Sequence, residues 1–157
     1  MLGLPFALAV VVFASQADAV DPALRAAVER FYATQEAEDA DAYLSLWSAT
    51  AERPRPEQLR FVFESGDDKF SEIAITSVRT RGPLTIVRVS VTRDRTSSVR
   101  RPDGSPMVFH NSFIAALTYA REGTEWKLIR EGTAIDSLAD AYIAASDAGE
   151  RERLLTE

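Results

Sequence analysis

Phe70-Ser-Glu-Ile-Ala-Ile-Thr-Ser-Val-Arg-Thr-Arg81, the dipeptide Gly82-Pro83, then Leu84-Thr-Ile-Val-Arg-Val-Ser-Val-Thr-Arg-Asp-Arg95: the reading of this stretch decides the fold. Val87, Val89 and Val91 alternate with Arg88, Ser90 and Thr92, the period-two pattern of a strand with one face in a core. Ile73 and Ile75 share a face of the run before it, and Gly82-Pro83 turns one run into the other. Pro102-Asp-Gly-Ser-Pro106 is the strongest turn signal in the chain. It leads into a third run, Val108 to Arg121, which is apolar on both faces. Phe109, Phe113, Leu117 and Tyr119 lie on one side, with Val108, Ile114, Ala116 and Ala120 on the other. A strand covered on both faces is central in its sheet or lies in a subunit interface. Glu122-Gly-Thr124 closes a hairpin into the fourth run, Trp126 to Thr133. Four successive strands with no helix between them make an antiparallel meander.

The chain ahead of the meander reads as helical. Asp21-Pro22 supplies an N-cap and a proline at the first helical position. Leu24, Ala27, Val28, Phe31 and Tyr32 then recur at amphipathic helical spacing, and the acidic stretch Glu36 to Asp41 ends that face. A short second helix carries Tyr43, Leu44, Leu46 and Trp47. Arg53-Pro-Arg-Pro56 breaks the chain, because each proline disfavours helix at the residue before it. A third helix, Glu57 to Phe63, turns Leu59, Val62 and Phe63 inward, and Ser65-Gly-Asp-Asp68 is a turn into the sheet. Helices first and an uninterrupted meander after them imply an α+β class. The expected architecture is a cone-shaped fold with N-terminal helices packed on a curved antiparallel sheet, plus a C-terminal helical tail.

The ends carry separate signals. Leu2-Gly-Leu-Pro-Phe-Ala-Leu-Ala-Val-Val-Val-Phe-Ala14 is apolar but shorter than the roughly 20 residues of a membrane-spanning helix. It runs into Ala17-x-Ala19, the small-x-small pattern of a signal-peptidase site. Residues 1–19 are therefore expected to be a signal peptide and the protein to be exported, periplasmic or extracellular. No Lys or Arg precedes the apolar run, so either translation starts upstream or the leader is atypical. Residues 20–135 form one domain, and residues 136–157 a helical tail that leaves Leu154 and Leu155 near its end. Exposed leucines there suggest an interaction surface or a truncation.

Composition narrows the chemistry. There is no cysteine, which removes disulfides and thiolate metal sites. A formal charge of −6 argues against general binding of nucleic acid, and with the leader gone no membrane segment is expected. His110, the one histidine, shares a face with Val108, Ser112 and Ile114 and reads as a structural or solvated residue rather than an acid–base group. With no second histidine, no metal site is expected. Among the acids, Glu36, Asp39, Asp94 and Glu131 are placed to reach the interior of a cone. Glu36 lies in an acidic run and reads as solvated, and Asp94 lies between Arg93 and Arg95 and reads as a surface ion pair. Between Arg79 and Arg101 seven arginines face a single acid, Asp94. These arginines read as a solvated hairpin or as an anion-binding face. If the cone holds a polar pocket, its residues are Tyr32, Tyr43, Asn111 and Glu131. Asn111 alternates with Phe109 and Phe113, and Glu131 is on the strand expected to pair with theirs. No residue is assigned as catalytic, and no cofactor is implied.

Phe31-Tyr32 on the first helix, Tyr43-Leu44-x-Leu46-Trp47 on the second and the meander behind them resemble the nuclear transport factor 2-like superfamily, most of all its SnoaL-like bacterial branch. The likeness covers about Pro22 to Thr133 and rests on element order and apolar positions. It implies the cone fold; the pocket is expected from helices packed on a curved meander, and a homodimer through the sheet from the strand that is apolar on both faces. Isomerases and cyclases of the superfamily use a pocket Asp or Glu as a proton-abstracting base. The tail from Leu138 to Leu155 resembles the lead-in of bacterial tetratricopeptide-repeat proteins, which implies a partner region of that kind. Because no acid is embedded in an apolar run, the first functional expectation is an exported, non-enzymatic ligand-binding or protein-assembly module. The alternative is a SnoaL-like cofactor-independent isomerase, cyclase or dehydratase acting on a small apolar molecule.

Overall fold

The computed structural model describes residues 20–133 and residue 149. The leader at 1–19 and the tail at 136–157 otherwise lie outside the described residues. Three helices, α1 (Pro22–Glu36), α2 (Ala40–Ser45) and α3 (Pro56–Glu64), precede four strands. The strands are β1 (Gly66–Arg81), β2 (Leu84–Arg100), β3 (Pro106–Glu122) and β4 (Glu125–Thr133). They form one antiparallel sheet in the order β1-β2-β3-β4, so β2 and β3 are central. This is the expected α+β arrangement of helices packed on a meander.

Side-chain parity sets the core. Val87, Val89 and Val91 of β2 pair with Leu117, Ala115 and Phe113 of β3. Leu24, Ala27, Val28, Phe31 and Tyr32 of α1 pack on that face, and all but Phe113 are buried. Each large apolar side chain so buried contributes roughly 1.5–3 kcal/mol. Asp21 caps α1 by accepting from the Ala23 N–H at 2.9 Å. Its other oxygen accepts from the Trp126 indole N–H at 3.1 Å, tying the helix start to β4. Those two hydrogen bonds, led by the one from Ala23, hold the Asp21 carboxyl below its usual range.

Several local expectations need correction. Val62 is 46% exposed, because Leu59 and Phe63, four residues apart, define the buried stripe of α3 and leave Val62 on its flank. Trp47 follows α2 instead of lying on it, and forms a parallel bridge with Leu128. Gly66, Asp67 and Asp68 belong to β1 and not to a turn. Asp68 is buried there against Arg95, whose guanidinium donates to it at 2.6 Å. Glu36 is not free in solvent, since it accepts from the Phe70 N–H at 2.6 Å and fastens α1 to β1. Ile73 does not share the interior with Ile75. Register shifts flank Ala74 and Ile75, and Glu72 takes a positive φ of 53°, so β1 is bulged and Ile73 turns outward. Ile75 and Trp126 pack against the core only partly buried. On the outer face of β3, Val108 and Ile114 stay exposed.

Gly66 begins β1 opposite Ser97. A Cβ there would stand 2.5 Å from the Thr96 carbonyl oxygen, and backbone cannot swing aside as a side chain can. Gly66→Ala is expected to lower stability by about 1–3 kcal/mol, the usual cost of overpacking. Urea denaturation measures it, and an unchanged midpoint would mean that β1 and β2 do not approach this closely.

Candidate functional site

One irregularity creates the site. Along β4, Trp126 and Leu128 face the core opposite Arg121 and Tyr119. Between Thr118 and Tyr119 the register shifts, and Ile129 is the extra residue. A one-residue slip exchanges the faces of everything beyond it. Strict alternation from Leu128 would send Arg130 inward. The bulge instead sends in Glu131, opposite the buried Leu117.

Glu131 enters a cavity of about 280 Å³ between α1 and the open end of the sheet. That is near the lower end of the roughly 300–1,000 Å³ usual for small-molecule sites. Phe31, Tyr32 and Gln35 of α1 form one wall, while Phe70, Phe113 and Leu117 supply apolar surface from the strands. Arg93 lies on the wall as well. Glu131 as a residue is exposed through the mouth, yet protein surrounds its carboxyl, which is part-buried where it meets Tyr43. Both are true of a group inside a cup. The surrounding protein removes hydration from the carboxylate and raises its pKa, while a hydrogen bond from Tyr43 partly offsets that rise.

That hydrogen bond is the best-defined contact of the site. The Tyr43 hydroxyl donates to Glu131 Oε2 at 2.6 Å. Tyr43 itself is buried behind the cavity wall, its ring 5.8 Å from Phe31, 6.2 Å from Trp47 and 6.3 Å from Phe63. Three aromatic neighbours fix the ring, so the phenol is aimed before any ligand arrives. Burial first, and the charge of Glu131 second, push the Tyr43 phenol far above its ordinary range, which keeps it a donor. The Tyr32 and Tyr119 phenols are likewise pushed up, chiefly by burial, and their hydroxyls are enclosed with no hydrogen-bond partner among the described residues. Of these three phenols, that of Tyr43 is the one bonded to the carboxylate.

Neither protein-family profiles nor curated proteins yield a match to this sequence. Solved structures do. A ketosteroid isomerase-like protein from Erwinia carotovora atroseptica superposes with a TM-score of 0.54 at 15% identity, over 76% of this chain and 95% of the other. A proposed dehydratase of the nuclear transport factor 2-like family from Streptomyces avermitilis gives 0.53 at 14% identity, over 69% and 90%. A conserved protein from Planctomyces limnophilus gives 0.55 at 17% identity, over the same shares. The chain has the nuclear transport factor 2-like fold. At these identities the likeness concerns the fold, and what happens in the cavity must be argued from its residues.

Within that nuclear transport factor 2-like frame, the four pocket candidates fall in different places. Tyr43 and Glu131 meet, and Tyr32 lines the cavity. Asn111 is on the face of Phe109 and Phe113 but farther toward the open end, where it is exposed and outside the cavity wall. Asp94 pairs with the exposed His110 across β2 and β3, not with its neighbouring arginines. Asp39 caps α2, accepting from the Ala42 N–H at 2.9 Å. Sequence reasoning passed over Gln35, Phe70 and Arg93. Arg93 was legible: it has the parity of Val87, Val89 and Val91 two residues farther along β2. Among the described residues no cluster of His, Asp and Glu side chains converges as metal ligands would.

Proposed function

We propose that this domain binds a small, mostly apolar molecule in the cavity and that Glu131 is its proton acceptor. The reaction class is cofactor-independent isomerisation, cyclisation or dehydration. The observation that carries the reading is the Glu131 carboxylate, raised in pKa, aimed into an open cavity and held by Tyr43 at 2.6 Å. A base of this kind takes a proton from a carbon next to a carbonyl, and the electron pair left behind moves onto the carbonyl oxygen. A ligand that fills the cup displaces its water and strengthens the base further. The test uses 2-tetralone in heavy water, with deuterium entry at its activated carbon followed by NMR. Wild-type protein is expected to accelerate exchange and Glu131→Gln to abolish the acceleration. Equal exchange with both proteins would overturn the assignment.

A binding module without turnover is the second reading, and one feature favours it. The Tyr43 hydrogen bond stabilises the charged carboxylate, as suits an anchor for a ligand hydroxyl or amine. Saturable binding of 2-tetralone with no isotope exchange would decide for it. Export belongs to the proposal in either case and rests on the apolar run Leu2–Ala14 and on Ala17-x-Ala19. Protein recovered from its native host is expected to begin near Val20. An intact Met1 on protein from the cytosol, found by N-terminal sequencing, would end that part.

A further inference from the structure

Of the seven arginines between Arg79 and Arg101, two turn to the inner face of the sheet beside one acid. Asp68 is buried, and Arg95 donates to its Oδ2 at 2.6 Å. Arg95 is engaged further, donating to the Val62 carbonyl at 2.7 Å and to the Ser65 hydroxyl. Arg93 is left with the remainder. Its Nε forms an ion pair with Asp68 Oδ1 at 3.6 Å, too far for a hydrogen bond, and among the described residues both enclosed atoms have no hydrogen-bond partner. Two guanidinium groups thus share the Asp68 carboxylate unequally, Arg95 holding the hydrogen bond and Arg93 only the longer contact. The guanidinium with the weaker hold on Asp68 is the one that lines the cavity.

Glu131 and Arg93 are at opposite ends of this space. Glu131 pairs with Leu117 of β3, and Arg93 pairs with Asn111. Those positions are six residues apart, roughly 20 Å of extended backbone, with the long Arg93 side chain reaching back to the cavity. The rings of Phe31, Tyr32, Phe70 and Phe113 line the interval. A neutral ligand would leave the Arg93 guanidinium with only its long ion pair to Asp68.

We propose that Arg93 is an anion subsite and that the ligand is an organic acid: an apolar, flat body with a carboxylate at the Arg93 end. This rests on the reading of the cavity as a small-molecule site and adds the class of molecule. A guanidinium presents two parallel N–H donors to a carboxylate, a geometry that lysine lacks. The repulsion between two carboxylates keeps the ligand's acid group away from Glu131 and so fixes its direction in the cavity. The reacting carbon then falls at the Glu131 end.

The test compares 2-naphthoate with its neutral amide, 2-naphthamide, by titration calorimetry on the wild-type chain, Arg93→Gln and Arg93→Lys. Wild type is expected to prefer the acid by about 10–100-fold, the range of a hydrogen bond to a charged group. Arg93→Gln should lose that preference and keep its affinity for the amide, and Arg93→Lys should regain only part of it. In wild type, the ¹⁵N-resolved Arg93 Nε–H resonance should shift with 2-naphthoate and not with 2-naphthamide, a readout that needs no variant to fold. Equal affinity for the two probes, binding of neither, or a preference that survives in Arg93→Gln would overturn the proposal. Glu131→Gln separates the two ideas. It removes isotope exchange if Glu131 is the base, while the preference for 2-naphthoate, set at Arg93, persists or grows with the opposing charge gone, whether or not it is.

Discussion

Trp47→Ala will cost the fold about 3–5 kcal/mol in urea denaturation, the range for removing a large aromatic from a core. Trp47 is 6% exposed and stands between α2 and β4. Its ring packs beside Tyr43 of α2. Its backbone bridges Leu128 of β4, with the Leu128 N–H donating to the Leu46 carbonyl and the Ser48 N–H to the Leu128 carbonyl, both at 2.8 Å. These bonds hold the chain in place, so the surroundings cannot close over the hole that alanine would leave. Trp47→Phe keeps most of the volume and should cost markedly less. A loss below about 1 kcal/mol for the alanine variant would mean that the helices do not pack on β4 as described.

Trp47 also marks how far the sequence could be read. Its place in Tyr43-Leu44-x-Leu46-Trp47 signalled burial, and the alternation of Val87, Val89 and Val91 signalled both the strand and its inner face. Both signals are local, and hydrophobic pattern reports such signals well. The irregularities were not visible in this way. The shift at Glu72, undone by a second one after Ile75, and the extra residue Ile129 each exchange the faces of the residues that follow, and nothing in the composition of β1 or β4 announces a bulge. Plain alternation therefore puts Ile73 inside, and it is outside. Glu131 was singled out because its strand pairs with β3, but the slip that turns it inward is a property of pairing, not of sequence. Glu36 was misjudged for a related reason. In an acidic run it looks solvated, and its partner is a backbone N–H thirty-four residues away. Arg93 was hidden by its company, one of seven arginines assigned together to a hairpin surface, although its parity placed it with the valines.

Glu131→Gln should reduce the isotope-exchange rate by roughly 100- to 10,000-fold, the usual contribution of a positioned acid–base group. Glutamine keeps the shape, and its carbonyl still accepts from Tyr43, so the loss would not come from a collapsed site. The wild-type rate should rise with pH as Glu131 ionises and level off above its raised pKa, above the ordinary value of 4.5. Tyr43→Phe removes the one interaction that favours the charged form, so it should move this midpoint still higher. Stability must show the same group with a definite sign. With its folded-state pKa above the unfolded one, Glu131 holds its proton more tightly in the native protein. Stability therefore falls as pH rises from the unfolded value to the folded one, and stays lower beyond it. Glu131→Gln should remove that decline and leave the variant no less stable than wild type at pH 8, though less active. This trade is expected of a group kept for chemistry at the expense of the fold. A carbon-detected titration of Glu131 with a midpoint at 4.5, or a stability profile that Glu131→Gln leaves unchanged, would remove the raised carboxylate and with it the case for Glu131 as the base.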